Sequence, residues 1–312
     1  MCFHHYGHGL FVEDGVEQNN RIVGNLVAGT QHGNLLLSDM SRDRCKQDKD
    51  KREWATNCGD LSSYWITHPN NVLLRNAAAG GDGNGFMYVF SDRPLGPSLQ
   101  RQRELNRTHH PRDLPMHFQF NAAHSNAHSG VFVDSKVSTG TGMENKGKVP
   151  ENGVLQTENE YDPKDHGKPV WTDMSFGTYF KNAHNDMWVK GGNIIVSYSA
   201  MADSPQGFSG GTTLFNSGTE VYRCLLVGQT DNKGMGQQRR VVSLPADPDA
   251  KKAKKAVKAV HQFDRSLPGL PTASVTGVSV YQGPVIVKDC HFRGFQDVRW
   301  CVTCLPARRA AC

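Results

Sequence analysis

The chain is patterned as short apolar runs of roughly three to five residues, each closed by Asn, Gly or another small residue. Residues 20–27 (NRIVGNLV) resemble residues 71–80 (NVLLRNAAAG). The same pattern recurs at residues 117–126, 174–182, 193–200, 220–228 and 285–292. Alternation within each run predicts strands with one face inside. Asn and Gly tolerate left-handed backbone, so they supply tight bends between the strands.

Such a repeat cannot bury its apolar face alone. Stacking neighbours about 4.8 Å apart would create a continuous core, so the pattern predicts an all-β parallel β-helix. An antiparallel β-sandwich is the alternative, but it would need Asn-Gly or Asp-Gly hairpin turns. Asp82-Gly83 is the one candidate turn of that kind, and it stands isolated from any hairpin pattern.

We expect the β-helix to occupy residues 1–297 as a piece of a larger ectodomain, followed by an irregular tail at 298–312. Residues 136–170 are polar and rich in Gly and Lys, which predicts a long surface loop. A second insertion is predicted near 234–272. It contains one short helix, since Asp247 and Pro248 precede a run of Ala and Lys.

The composition of the 312 residues excludes several classes of protein. With 37% hydrophobic residues, 21% charged residues and a net charge of +5, the chain is neither disordered nor collagenous. No window of 18 apolar residues appears, so no membrane span is predicted. The charge is too mild and too scattered to predict a nucleic-acid partner. The start shows no secretory signal and already resembles folded sequence, which suggests a fragment.

Two features suggest a secreted or cell-surface location. Cys45 and Cys58 flank a polar, charged stretch and are predicted to form a disulfide. Closing that loop would stabilise the fold by about 3 kcal/mol and would require an oxidising compartment. Asn106 begins an Asn-Arg-Thr sequon, which predicts glycosylation and gives weak further support.

Several longer motifs resemble a known family. They are residues 7–17 (GHGLFVEDGVE), 65–71 (WITHPNN), 76–80 (NAAAG), 124–126 (HSN), 188–192 (WVKGG) and 281–287 (YQGPVIV). This set is similar to the β-helix region of the cell-surface hyaluronidase and cell migration-inducing hyaluronan-binding protein family, and more distantly to fibrocystin-like receptors. The resemblance implies a right-handed, pectin-lyase-like solenoid from an extracellular protein, with hyaluronan or a related glycosaminoglycan as partner.

Hydrolysis of a hexosaminide needs a proton donor and a nucleophile or base, commonly two carboxyl groups. The densest cluster of suitable residues is His8, Glu13, Asp14 and Glu17, beside a glycine turn. We assign Glu13 or Asp14 as acid or nucleophile and His8 as base or orienting group. Glu17 is assigned to substrate binding. The same carboxylates could instead hold Ca²⁺, which takes six to eight oxygen ligands.

Further residues could contact the glycan if the coils stack in register. Imidazoles, amides and carboxylates bond sugar hydroxyls, indole rings stack on sugars, and a lysine can pair with a uronate. The substrate-binding candidates are His68, Asn70, Asn71, His124, Asn126, His184, Asp186, Trp188 and Lys190. Asn ladders also stabilise β-helix corners without any ligand, so a purely structural role stays open for the amides.

Three functions remain open at this point. The first is a hyaluronan-degrading enzyme of the endo-β-N-acetylhexosaminidase type. The second is a non-catalytic module that binds glycan or protein, and the third is a structural spacer in a large ectodomain. No metalloprotease, P-loop or serine-hydrolase motif appears in the sequence, so those activities have no support.

Overall fold

The computed structural model describes residues 1–31, 61–90, 98, 111–133, 160–212, 217–230 and 275–295. Within them, 22 of the 24 strands form three parallel sheets, and β12 (Lys164–Asp165) and β13 (Lys168–Pro169) form a separate antiparallel hairpin. A short 3-10 turn spans Pro111–Asp113. The predicted right-handed parallel β-helix is confirmed, and the β-sandwich is excluded because pairing within the three sheets is parallel throughout.

We call the three parallel sheets I, II and III. Along the chain, each turn of the β-helix adds one strand to sheet III, then one to sheet I and one to sheet II, before the next turn begins. Sheet III contains β3 (Arg21–Val23), β6 (Val72–Leu74), β9 (His117–Gln119), β14 (Thr172–Ser175), β17 (Ile194–Ser197), β20 (Thr219–Tyr222) and β23 (Val285–Lys288). Sheet I contains β1 (Cys2–Phe3), β4 (Leu26–Ala28), β7 (Ala77–Ala79), β10 (Ala122–His124), β15 (Thr178–Phe180), β18 (Ala200–Ala202), β21 (Leu225–Val227) and β24 (His291–Arg293). Sheet II contains β2 (Leu10–Val12), β5 (Ser62–Ile66), β8 (Asn84–Tyr88), β11 (Val131–Val133), β16 (Asn185–Lys190), β19 (Gln206–Gly211) and β22 (Thr276–Gln282).

Apolar side chains fill the helix interior in columns that run parallel to its axis. In sheet III the register aligns Leu73, Phe118 and Met174, each fully buried. In sheet II, Phe86 and Tyr88 align with Val131 and Val133 in the same way. Alternation therefore sends every second side chain inside, and stacking of the rungs buries what a single rung leaves exposed.

The corner between sheets III and I, the III–I corner, is stabilised by an asparagine ladder. The Oδ1 atom of Asn76 accepts from the backbone N–H and the amide of Asn25, at 3.0 and 3.2 Å. Asn121 serves Asn76 in the same way, at 2.9 and 3.1 Å. Each buried amide thus satisfies backbone groups that the sharp bend removes from the sheets.

Some predictions fall wholly or partly outside the described residues. The short helix, the insertion near 234–272 and the tail at 298–312 lie outside them. Of the predicted loop at 136–170, only residues 160–170 are described, and these contain the β12–β13 hairpin and the fully buried Tyr161. Cys45, Cys58 and Asn106 also lie outside, so the disulfide and the glycosylation stay predictions.

Candidate functional site

Alternate side chains of sheet II form a column on its outer face. The register brings Phe11, Trp65, Met87, Phe132 and Trp188 into line on five neighbouring strands. Trp65 and Met87 are buried despite facing outward, whereas Phe132 and Trp188 are partly exposed. The column therefore reaches solvent at both ends, at Phe11 on its first strand and at Phe132 and Trp188 on its later strands.

Three rings form what we call the aromatic strip, Phe132, Trp188 and Tyr281. The indole of Trp188 is 6.0 Å from the Phe132 ring and 4.9 Å from the Tyr281 ring, with planes inclined by 10° and 19°. Ser209, which lies beside Trp188 in the register, is small enough for Tyr281 to reach across it. The strip gives this face a partly exposed aromatic surface of the kind that packs against sugar rings.

Imidazoles flank the column where the strands of sheet II begin, at the corner between sheets I and II (the I–II corner). The rings of His128 and His184 stack at 4.4 Å, and Nδ1 of His128 lies 2.8 Å from Oδ1 of Asn84. Nδ1 of His8 lies 3.2 Å from the backbone nitrogen and from Oγ of Ser62. Burial lowers the pKa of His184, which favours the neutral imidazole near pH 7.

The predicted catalytic carboxylates lie where strand β2 ends, at the corner between sheets II and III (the II–III corner). Asp14 is 6% exposed, and its Oδ2 accepts from the backbone N–H of Ser98 at 3.2 Å. Its Oδ1 atom is buried without a hydrogen-bond partner in the described part of the chain. Glu13 immediately precedes Asp14 and is partly exposed.

Glu17 and His68 also lie at the II–III corner. The Glu17 carboxylate accepts from the backbone N–H groups of Asp14, Gly15 and Val16 at 2.9 to 3.2 Å, so it closes its own turn. The amide of Asn71 joins the two residues, donating to the backbone oxygens of Glu17 and His68 at 2.7 and 2.9 Å. Burial lowers the pKa of His68, and the Glu17 carboxylate opposes part of that shift.

The structure separates His8 from this carboxylate group. His8 contacts Ser62 at the start of strand β5, whereas Asp14 and His68 follow the ends of β2 and β5. A five-residue strand is about 13 Å from its first to its last residue. His8 therefore belongs with the imidazoles of the I–II corner, and Asp14, Glu17 and His68 form a second group.

Two predicted substrate-binding residues are interior polar groups of the I–II corner. Asn126 is buried and donates to Oδ1 of Asn182 at 2.9 Å. Asp186 is fully buried, and its Oδ1 accepts from Asn182 at 2.9 Å and from the Ser204 hydroxyl at 2.6 Å. Desolvation raises the pKa of Asp186 to about 8, so the carboxyl group is mostly protonated at neutral pH.

The remaining candidates are spread over other parts of the surface and the interior. Lys190 is 3.3 Å from Oε1 of Glu160, and both side chains are buried. His124 lies on sheet I, where its ring stacks on Phe180 at 4.6 Å. Asn70 donates to Oδ1 of Asn19 at 3.2 Å, on the exposed side of the II–III corner. Of the predicted binding residues, His184 and Trp188 thus share the outer face of sheet II.

Sequence reasoning missed His128 and Tyr281. The signal for His128 was a repeat, since the tripeptide Asn-Ala-His occurs at 126–128 and again at 182–184. The two copies precede register partners Val131 and Met187 by the same distance, so they predict stacked imidazoles. Tyr281 reaches the strip across Ser209, and no local pattern shows this. Within the described residues, no group of three or more His, Cys, Asp or Glu side chains could hold a metal ion.

The sequence of this chain is similar to a known family and to several known proteins. The CEMIP β-helix family model matches residues 1–131. The human cell surface hyaluronidase CEMIP2 is 32% identical over 307 residues, which cover 93% of this chain and 21% of that protein. The mouse cell migration-inducing and hyaluronan-binding protein is 28% identical over 304 residues, again 93% of this chain and 21% of the relative.

A more distant match covers less of the chain. Mouse fibrocystin-L is 35% identical over 97 residues, which are 30% of this chain and 2% of that protein. The chain therefore spans about a fifth of the length of the hyaluronidase-type relatives. No helix among the described residues is long and apolar enough to cross a membrane. The parallel coils and these matches together identify the chain as a relative of the CEMIP β-helix family.

Proposed function

We propose that this chain is the β-helix part of an extracellular or cell-surface protein that degrades hyaluronan, and that the polymer lies along the outer face of sheet II. One observation carries the proposal: the aromatic strip and the stacked imidazoles of His128 and His184 occupy the same face and run along the helix axis. Relatives named as a hyaluronidase and as a hyaluronan-binding protein support the choice of polymer.

The aromatic strip and the imidazoles would contact different parts of each sugar. Ring faces and edges pack against the apolar faces of sugars, and imidazole nitrogens bond their hydroxyls. Neighbouring rungs lie about 4.8 Å apart, so equivalent groups recur along a linear polymer. We expect Trp188→Ala to weaken hyaluronan binding about tenfold, since Trp188 touches both other rings of the strip.

Asp14 is the best-supported acid for the hydrolytic step. It is nearly buried, and its Oδ1 atom has no partner among the described residues, which suits a carboxyl group that exchanges a proton with substrate. Glu13 is its candidate partner. His8 lies at the other end of β2 with the imidazoles of the I–II corner, so it would bind the polymer and would not act at the same glycosidic bond as Asp14. Binding of Ca²⁺ by these carboxylates is a further proposal, which activity with and without a chelator tests.

The decisive experiment incubates the purified chain with size-defined hyaluronan, with and without EDTA, and measures the product size. We expect chain shortening that is lost in Asp14→Asn and Glu13→Gln, both with wild-type circular dichroism. Asp165→Asn, on the exposed β12–β13 hairpin, is the matched control and should cleave normally. Unchanged depolymerisation in both acid variants would reject this catalytic assignment.

A non-catalytic binding module is the second candidate. The separation of the predicted catalytic groups favours it: His8 contacts Ser62 at the I–II corner, whereas Asp14 lies at the II–III corner. This function predicts salt-sensitive retention of hyaluronan without any change in polymer length. A chain that neither retains nor shortens hyaluronan would be a structural spacer.

A further inference from the structure

A second ladder of side chains lines the outside of the III–I corner. The corner residue of each rung has a positive φ, between 48° and 69°. In chain order these residues are Gly24, Arg75, Phe120, Phe176, Tyr198, Arg223 and Asp289. A non-glycine residue in this backbone region costs about 1 to 3 kcal/mol, and Gly or Asn would reduce that cost. Three successive aromatic residues are therefore an unusual choice for these positions.

The three aromatic rings form a continuous exposed stack. Phe120 and Phe176 are 4.7 Å apart with planes inclined by 8°, and Phe176 and Tyr198 are 5.3 Å apart with planes inclined by 12°. Each residue is 44 to 45% exposed, which is high for such large side chains. Stacking offsets part of the backbone cost. Stacking between the rings does not by itself explain why all three are exposed to solvent.

Arginines close both ends of the stack. The guanidinium of Arg75 lies 5.6 Å from the centre of the Phe120 ring. The guanidinium of Arg223 lies 5.9 Å from the Tyr198 ring and donates to the Tyr198 hydroxyl at 3.2 Å. Arg223 also lies 3.9 Å from Asp289, but that pair is about half exposed and therefore weak. Both guanidinium groups keep N–H donors for a ligand.

A groove of about 400 Å³ runs beside the stack. Phe120, Phe176 and Tyr198 form its wall, and small or apolar side chains such as Ala200 and Leu225 form its floor on sheet I. None of the eight described strands of sheet I contains Asp or Glu. The floor therefore carries no carboxylate that would repel an anion.

The electrostatics of this groove favour one class of ligand. Because the rings stack face to face, their edges point outward, and the edge of an aromatic ring carries positive potential. Arg75 and Arg223 add formal positive charge four rungs apart, about 19 Å at the usual strand spacing. A linear polyanion with apolar patches between its charges fits this arrangement, since guanidinium groups bind carboxylates in bidentate geometry.

We infer that the exposed rings of Phe120, Phe176 and Tyr198, the arginines at their two ends and the adjoining groove form a second binding site for an acidic polysaccharide. This site lies on a different face from the aromatic strip of sheet II. Uronate carboxylates bind Arg75 and Arg223, and the sugar rings between them pack on the Phe120–Phe176–Tyr198 wall. The identity of the polymer as hyaluronan rests on the proposed function. The existence of the site rests on the ladder itself.

The test measures binding of the full chain carrying Trp188→Ala, which weakens the sheet II site, to a size-defined hyaluronan oligosaccharide, to its carboxyl-reduced form and to polygalacturonate. One variant combines Phe120→Asn, Phe176→Asn and Tyr198→Asn, because Asn keeps the left-handed backbone and removes the rings. The second combines Arg75→Ala and Arg223→Ala. Gly24→Asn changes the same corner where no ring is present and is the matched control.

We expect both variants to bind the acidic polymers about tenfold more weakly, with the control unchanged and the carboxyl-reduced polymer bound poorly by all. Affinities within twofold of the Trp188→Ala parent in both variants would overturn the second site. Loss of polygalacturonate binding in both variants would support the site even if hyaluronan were not the ligand. A wild-type chain that binds neither acidic polymer would overturn it.

Discussion

At the scale of the residue, the buried carboxyl group of Asp186 depends on two hydrogen-bond partners. Asp186 lies between a histidine and a tryptophan that face the outside of sheet II, so its position in the sequence suggests substrate contact. The structure places its carboxyl group in the interior, bonded to Asn182 and Ser204. Asn182 lies four residues earlier in the same I–II corner, and Ser204 lies in that corner on the next rung, where no local pattern identifies it.

The raised pKa of Asp186 makes the stability of the fold depend on pH. Between the unfolded pKa near 3.8 and the folded pKa of about 8, the folded state holds a proton that the unfolded state has lost. The free energy of unfolding therefore falls as pH rises through this window, by up to about 1.4 kcal/mol per pH unit from this group. Asp186→Asn should remove that contribution while keeping the Oδ1 acceptor.

Urea denaturation from pH 5 to pH 8 measures the effect. We expect the difference in stability between the variant and the wild type to shift in favour of the variant as pH rises. Parallel pH profiles for the two proteins would contradict the assignment of a neutral, buried carboxyl group.

Glu17 gives a second prediction at this scale. Its carboxylate holds three backbone N–H groups of the turn, so Glu17→Gln should lower the free energy of unfolding by about 1 to 2 kcal/mol. Thermal denaturation measures this loss. If Glu17 instead bound substrate directly, the variant would keep its stability and lose hyaluronan affinity.

At the scale of the element, the corners are specified more clearly by sequence than the sheets are. The recurring Asn and Gly positions predicted tight bends, and Asn25, Asn76 and Asn121 indeed form a ladder at one of them. The same residue type made Asn71 and Asn126 candidates for sugar binding, because an amide bonds a backbone group or a hydroxyl equally well. Both are buried and bonded within corners.

The asparagine ladder predicts a graded cost of substitution. Asn76 is buried and serves the rungs on both sides, accepting from Asn25 and donating to the backbone oxygen of Ile22 and to Asn121. Asn76→Ala should therefore destabilise the fold by about 3 kcal/mol, because several buried polar groups lose their partner. Asn25→Ala, at the partly exposed end of the ladder, should cost less.

Urea denaturation measures the two losses, which appear as shifts of the transition midpoint when the slope of free energy against urea concentration is unchanged. Equal losses in both proteins would show that the ladder does not act cooperatively across rungs.

At the scale of the whole molecule, sequence predicted the architecture because each rung repeats one simple pattern. It could not predict which surface residues meet, since long insertions of different length separate equivalent positions. His8 and Asp14 are six residues apart in sequence, yet they fall at opposite ends of one strand. His128 and His184 are far apart in sequence and stack directly.

Burial along the solenoid predicts where it opens first. Strands β23 and β24 expose Val287 and Phe292 by 42 and 50%, whereas their register equivalents on the preceding rung, Val221 and Leu226, are completely buried. In hydrogen exchange we expect amides of residues 285–293 to lose protection before those of residues 117–133 and 172–202. Uniform protection along the axis would contradict a fold in which each rung depends on its immediate neighbours.

The parallel register also determines how the molecule responds to mechanical load. Backbone hydrogen bonds join each rung only to the rungs above and below it, and they lie roughly along the solenoid axis. Tension applied to the two ends of the chain would therefore act first on the bonds of a terminal rung and peel coils away singly, as a row of small force peaks. A domain anchored at a surface and pulled by a long ligand would extend gradually and would not rupture in a single event.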